Sequence, residues 1–518
     1  MKRIFSILFS PDFFKASFFL VSILGVCPLL SPILEPYLKV FHLYAMTVLI
    51  FDAIGEKRIF RNKGRILLVI FVFSYVITLA NNSNLLNFSG VSNYLYLFET
   101  LAVVYSYGKN SEKHARVTIT ILCTLISLAN LIGIWMFFSK FSFYVPDRGY
   151  IGMYPMENRL AGLFGNPNVL GMVCLSTICL CAVGFVLCSH RRIKGYFVIL
   201  GAINLVTLLL SNSRTQIYSI VLFCTILSFM MTLKLGKSVK YMLVAIGVAS
   251  MCMICTFAGS KLLQRGLSLV DINYDYYLQN IDSEVAKTQV DEELLKIEKT
   301  IVEDSEFETT YIEKINPNEN APDKNISSEN TSNESAVEES QKPNEKIKSI
   351  NRLETTGLNG RVELWYSGYK LFVAKPIFGS GMDNHNEALK ALGYEALPVK
   401  GNLHNVYLEI LVCFGIIGFG CLLVYLIIMF CNVIKFFKYN DGKTWTQGAV
   451  LLASIVAFML DGVADSTLVA SFYPTAVAFW LLASQFARLL EEENLRTGHY
   501  RQEVLWKIID TFFRRKEK

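Results

Sequence analysis

The sequence predicts an all-α polytopic membrane protein with about twelve transmembrane helices and one large extracellular loop between the ninth and tenth. Three observations carry that expectation. The chain has 518 residues, of which 53% are hydrophobic and only 18% charged, and its mean hydropathy is +0.40. A soluble domain carries roughly 25% charged and 45–50% apolar residues. Apolar runs of span length recur along the chain, at roughly 20 residues per crossing, and basic residues cluster in every second short loop. This composition excludes a cytosolic enzyme, a secreted disulfide scaffold and an intrinsically disordered chain. The 12 cysteines all fall in apolar stretches, where thiols act as small hydrophobes. No Cys/His cluster shows zinc-ligand spacing.

Taken in order, candidate spans fall at 14–34, 37–54, 66–80, 91–107, 117–138, 169–188, 196–211, 216–233, 241–259, 405–434, 448–465 and 467–487. The start, Met1-Lys2-Arg3 and then apolar residues, has no clean small-residue cleavage site and reads as a first span rather than a signal peptide. Loops 56–65, 108–116, 189–195, 234–240 and 435–447 each hold at least three Lys or Arg, whereas 81–90 holds none. The positive-inside rule then puts both termini in the cytoplasm, with a basic tail over 488–518. Spans one to nine occupy 1–259, the extracellular loop 260–404, and the last three spans 405–487. Within the loop, Asp271–Lys346 holds twenty acidic residues against seven basic, so about 271–349 reads as an acidic disordered insertion. Order is expected again over 350–404. There Leu358, Val362, Trp365, Tyr366, Tyr369, Phe372 and Val373 mark one apolar helix face, stopped by Pro376. Such a helix is expected against the bilayer surface or the span tops. The run at 405–434 would be about 45 Å long as an ideal helix against a hydrocarbon core of about 30 Å. With Gly415, Gly418 and Gly420 inside it, a break or strong tilt is expected.

The candidate chemistry lies on the outer side. Arg214, in Asn212-Ser213-Arg214-Thr215, is out of place in a short outer loop. It is either a snorkelling side chain or an anion ligand, since guanidinium forks bind phosphate bidentately. Arg361 opens the amphipathic helix, where free N–H groups and the helix dipole also favour an anion. Arg159 precedes Gly165-Asn166-Pro167-Asn168, a turn into the sixth span. Three arginines from distant segments point to a lipid-linked diphosphate. Of the two histidines expected outside, His385 and His404, only His404 abuts a span. It is either an interfacial anchor or a general base, with an unperturbed pKa of about 6.5. No GxxxxGK[ST] loop and no outer Asp-x-Asp pair occur. ATP-driven export is therefore disfavoured, and metal-dependent glycosyl transfer would lack its usual ligands. Glu99, Glu409, Asp461 and Asp465 could line an ion path, which keeps a secondary transporter as an alternative.

Arg159-Leu160-Ala161-Gly162-Leu163-Phe164-Gly165-Asn166-Pro167-Asn168 resembles the segment before a span in the O-antigen ligase and O-antigen polymerase family of bacterial membrane proteins. Ser213-Arg214 resembles that family's Ser-Arg between two later spans. Gly360-Arg361 with Trp365, followed by Pro376-Ile377-Phe378-Gly379-Ser380-Gly381, resembles its outer-loop helix and the turn after it. His404-Asn405-Val406-Tyr407-Leu408-Glu409 is similar to its His-Asn signature. The resemblance implies transfer of a glycan from an undecaprenyl-diphosphate carrier to an acceptor hydroxyl, with inversion and without cofactor or metal. It assigns diphosphate binding to Arg214 and Arg361 and acceptor activation to His404; Arg159 is expected as a third diphosphate-binding residue, with Asn405, Trp365 and Asn168 in support. The implied partners are the lipid-linked donor, a glycan acceptor and the bilayer, with a flippase and a chain-length regulator as further candidates and no nucleic acid. A chain rich in Lys, Ile and Asn points to a single-membrane bacterium without a lipid A core. Polymerisation of repeat units is therefore expected over ligation.

Overall fold

Most apolar runs of span length are helices in the computed structural model. It describes residues 7–54, 65–82, 88–107, 111–145, 148–154, 159–234, 361–382, 384–394, 403–440, 442–465, 468 and 473–497. All of these belong to one compact unit, Met1–Asp271 with Gly360–Lys518. The expected ninth span at 241–259, the acidic insertion at 271–349 and the tail beyond 497 lie outside the described residues.

Up to residue 234 the helices are α1 (Pro11–Gly25), α2 (Leu38–Ile54), α3 (Arg65–Asn81), α4 (Phe88–Glu99, continued by a π turn over Thr100–Val104), α5 (Ser111–Phe138), α6 (Pro167–Leu187), α7 (Arg191–Ser211) and α8 (Arg214–Lys234). From residue 361 on they are α9 (Arg361–Ala374), α10 (His385–Ala391), α11 (Val406–Tyr439), α12 (Lys443–Ala464) and α13 (Pro474–Thr497). Seven helices among the described residues are long and apolar enough to cross a membrane. The protein is thus a helical membrane protein, and these seven stand against an expectation of about twelve crossings. The first expected span ends early, α1 stopping at Gly25 just ahead of Cys27-Pro28, because proline supplies no N–H and clashes with a continuing helix. The last begins at Pro474 rather than 467 and runs through Arg488, which is buried and pairs with Glu492 at 2.7 Å.

One element departs from the all-helical expectation. Ser142–Val145 (β1), Gly149–Tyr154 (β2) and Arg159–Gly165 (β3) form an antiparallel sheet in the order β1-β2-β3. It fills the connection between α5 and α6. Its last strand delivers the chain directly into α6, the most enclosed of the candidate spans with 72% of its apolar window buried.

The break expected in the long tenth span is real. Gly415 has φ 63° and ψ −171° inside α11, a conformation essentially confined to glycine. The freed backbone groups are taken up by the turn after α9. Ser380 and Gly381 N–H donate to the Val412 and Cys413 carbonyls at 2.8 and 3.2 Å, and Ile416 and Ile417 N–H donate to Pro376 and Ile377 at 2.8 and 3.3 Å. The Pro376–Gly381 motif therefore acts as a splint across the broken helix. Gly415→Ala would force a Cβ into the Ile377 carbonyl and add about 1–3 kcal/mol of backbone strain. A clear fall in thermal unfolding temperature in detergent is expected. Gly420→Ala, with nothing within 4 Å of the new Cβ, should be neutral or slightly stabilising.

Candidate functional site

The start of α6 is set by its sequence. Asn166 Oδ1 accepts from the Asn168 N–H at 2.8 Å, and Pro167 occupies the first helical position, where no intrahelical N–H bond is lost. Asn168 is left exposed in the first turn, its Oδ1 accepting from Arg159 Nη2 at 2.7 Å. Arg159 Nε donates to the Ser211 carbonyl at 2.7 Å. At that point Asn212, in the left-handed region with φ 48°, ends α7 and turns the chain into α8. The start of α8 can press on α6 because residue 171 is glycine: a Cβ there would lie 2.6 Å from Ser213 Cβ. Ser213 Oγ reaches Asn168 Oδ1 at 3.2 Å and also Gln216 Oε1, donating its one proton to either. Gln216 Nε2 donates to Asp461 Oδ1 at 2.6 Å. A polar chain thus runs from Arg159 through Asn168, Ser213 and Gln216 to Asp461.

The second half of the site is built on the start of α11. Asn405 caps that helix, its Oδ1 accepting from the Tyr407 and Leu408 N–H groups at 3.0 Å each, an interaction of about 1 kcal/mol. On the other side of the turn, Glu409 Oε2 accepts from the Leu403 N–H at 3.1 Å. His404 is held between these two anchors with φ 48°.

The two halves meet in a cleft of about 170 Å³ lined by Asn166, Asn168, Ser213, Thr215, Gln216, Arg361, His404, Asp465 and Tyr473, with Val169, Met172 and Ala464. Alternation of the helices explains the meeting. The starts of α6, α8, α9 and α11 and the end of α12 all lie at one end of the bundle. Burial lowers the His404 pKa below its ordinary 6.5; Asp465 opposes this, the Arg361 charge reinforces it, and Glu409 opposes it. Neutral imidazole is the resulting form at neutral pH. Neither Arg361 nor Arg214 has a carboxylate partner among the described residues. The cleft therefore combines a fixed positive charge, a neutral base and a carboxylate that can stabilise the base once protonated.

Arg361, His404 and Asn168 line this cleft together. Arg159 stands one hydrogen bond behind it, through Asn168, and two arms of its guanidinium are already taken by Ser211 and Asn168; Asn405, next in the chain to His404, caps α11 and does not line the cleft. Arg214 is exposed and does not line the cleft. Trp365 packs against the apolar cluster of Leu364, Leu371, Leu389, Leu403 and Val412 instead of facing the site. The apolar stripe of α9 also divides: Val362, Tyr366, Tyr369 and Val373 are exposed, while Trp365 and Phe372 pack against the buried cluster that holds Leu364 and Leu371. The outward set suits a lipid-facing surface, and Leu358 lies outside the described residues.

The four carboxylates that could line an ion path have different partners. Glu99 pairs with His42 at 2.7 Å, Glu409 with His385 at 3.3 Å and Asp461 with Gln216, while Asp465 lines the cleft. Gln216 and Tyr473 had no sequence signal for a site. Gln216 lies in an apolar run, and only the pairing of α8 with α12 brings it to Asp461. Asp465 was visible in the sequence, but as a transport residue.

Comparison with known families agrees with the motif resemblance. A family model described as O-Antigen ligase matches residues 196–423, a stretch that contains Ser213, Arg361 and His404. No curated protein matches the chain.

Proposed function

We propose, from the premise that residues 196–423 form an O-antigen ligase-family region, that this membrane protein is a lipid-diphosphate-dependent glycosyltransferase working in this cleft. The observation that carries the reading is the convergence of Arg361, His404, Asn168 and Asp465 from four distant segments on one polar cleft. Arg361 binds the diphosphate of a polyprenyl-linked glycan and offsets the charge that builds as the bond from the sugar C1 to the phosphate oxygen breaks. An acceptor hydroxyl attacks C1 from the opposite face, inverting it. Its proton passes to the His404 imidazole as the new bond forms, because a sugar hydroxyl is too weak an acid to ionise beforehand. Asp465 stabilises the imidazolium.

An apolar crevice supports the lipid part of this reading. It holds about 410 Å³, begins at Val406 and Tyr407 beside His404, and continues past Leu422, Phe430 and Phe486. A polyprenyl chain would lie there with its diphosphate in the cleft. The cleft would face the extracellular side of the cytoplasmic membrane, with both termini inside, as the loop charges require.

The acceptor in this proposal is a second lipid-linked repeat, so that the product is a capsular, exopolysaccharide or O-antigen polymer. Transfer of a finished glycan to a separate acceptor is the second reading, favoured by the description of the matching family. The test is the size distribution of lipid-linked and surface glycan in cells whose only copy is wild type or a site variant. A distribution unaffected by loss of the protein would sink both readings.

The pH dependence has a defined sign. A neutral His404 is required, so the rate rises with pH through the His404 pKa, and burial puts that limb below 6.5. Asp465 raises the pKa, so Asp465→Asn should move the acid limb to lower pH. The check is a pH–rate profile with purified protein and lipid-linked donor; an upward move would contradict the assignment.

A further inference from the structure

Away from the cleft, three metal-ligating side chains converge where α10 meets α11. His385 Nε2 lies 3.3 Å from Glu409 Oε1 and 3.8 Å from Cys413 Sγ, and that sulfur lies 3.6 Å from the same carboxylate oxygen. His385 and Cys413 are buried, and the Glu409 side chain is only 17% exposed. Hydrogen bonding accounts poorly for this arrangement. A thiol is a weak donor and a weak acceptor, and both sulfur contacts are long.

A tetrahedral ion accounts for it well. Zinc binds nitrogen at about 2.0–2.1 Å, carboxylate oxygen at about 2.0–2.2 Å and thiolate at about 2.3 Å. At tetrahedral angles, such bonds separate nitrogen from oxygen by about 3.3–3.5 Å and sulfur from either by about 3.5–3.7 Å. The three observed edges agree with these within a few tenths of an ångström. Thiolate with imidazole selects zinc over magnesium or calcium, which prefer all-oxygen sites. One thiolate and one carboxylate also cancel the charge of a divalent ion, as a buried position demands. The other Glu409 oxygen accepts from the Leu403 N–H, the kind of outer-shell bond that orients metal ligands.

We propose that His385, Glu409 and Cys413 bind one zinc ion, with water as fourth ligand, in a site that ties α10 to α11 beside the Gly415 break. Through the Glu409–Leu403 bond the ion also steadies the turn that carries His404. Its ligands do not line the cleft, so its role is structural, and the assignment does not depend on the proposed activity. The sequence hid the site because its ligands are 28 residues apart on two helices. Only Glu409 and Cys413, one turn apart, share an element.

The test uses the full chain, purified in detergent without a polyhistidine tag, loaded with zinc and exchanged into metal-free buffer. About one zinc per chain is expected by elemental analysis, the stoichiometry of a single tetrahedral site. Cys413→Ala should lose at least nine-tenths of it. Cys431→Ser, which alters an exposed thiol, should keep it. Zinc should raise the melting temperature of wild type but not of Cys413→Ala, since only a protein that binds the ion gains from it. Where Cys413→Ala does not fold, the wild type loaded with cobalt decides. A thiolate-to-cobalt charge-transfer band supports the site and its absence overturns it. Wild type holding no zinc, or Cys413→Ala holding as much as wild type, would also overturn it.

Discussion

Cells carrying only the His404→Ala protein are expected to make no long glycan while keeping the protein in the membrane. The size of the effect follows from the role. Concerted proton acceptance by a positioned base contributes roughly 10²–10⁴ in rate, enough to remove polymer from a gel. Alanine also raises a backbone question, because residue 404 sits at φ 48°, where asparagine and histidine are tolerated better than most residues. His404→Asn is therefore the more discriminating variant: it suits the backbone and lacks the base. Both variants should be inactive. Single lipid-linked repeats piling up would identify polymerisation, and long lipid-linked polymer left unattached would identify ligation. Normal polymer from His404→Asn would remove His404 from the chemistry.

Much of this site could be read from local sequence, because the features that build it are local. Asn166-Pro167 and Asn405 are helix starts whose side chains cap the helices they precede, and Gly415 marks a break that no other residue type would allow. What was not legible depends on packing. The α9 stripe contains apolar residues on two faces, one turned to Leu403 and Val412 and one outward. Helical periodicity identifies such a helix without saying which face meets protein. The small sheet carries no clear strand signal because Ser142–Val145 and Gly149–Tyr154 are short strands at the end of an apolar helix, with glycines at 149 and 152 that weaken the strand pattern. Gln216 and Asp461 are polar residues inside apolar runs. Their meaning appears only once α8 and α12 are side by side.

The same distinction refines the arginines. All three carry the charge that a diphosphate needs, yet Arg159 is committed to Ser211 and Asn168, and Arg214 is exposed outside the cleft lining. Arg159→Ala should therefore act through the position of Asn168, and Arg214 through long-range attraction. Arg361 alone of the three lines the cleft with His404.

Arg361→Lys is accordingly expected to weaken donor use strongly while preserving charge. A lysine ammonium is a point charge and cannot reproduce the bidentate fork on a diphosphate. Loss of one charged hydrogen bond, about 1.5–3 kcal/mol, corresponds to roughly a 10- to 150-fold rise in the donor KM, at 1.4 kcal/mol per factor of ten. Arg361→Ala removes the charge as well, so kcat should fall beyond the lysine variant because the leaving diphosphate is no longer offset. The two variants also differ in pH behaviour. The Arg361 charge lowers the His404 pKa, so Arg361→Ala should move the acid limb to higher pH, opposite to Asp465→Asn, whereas Arg361→Lys should leave it nearly in place. A lysine variant with wild-type donor KM would show that Arg361 is not a fork on the diphosphate. An alanine variant with an unmoved acid limb would separate Arg361 from His404 and dissolve the cleft as a single site.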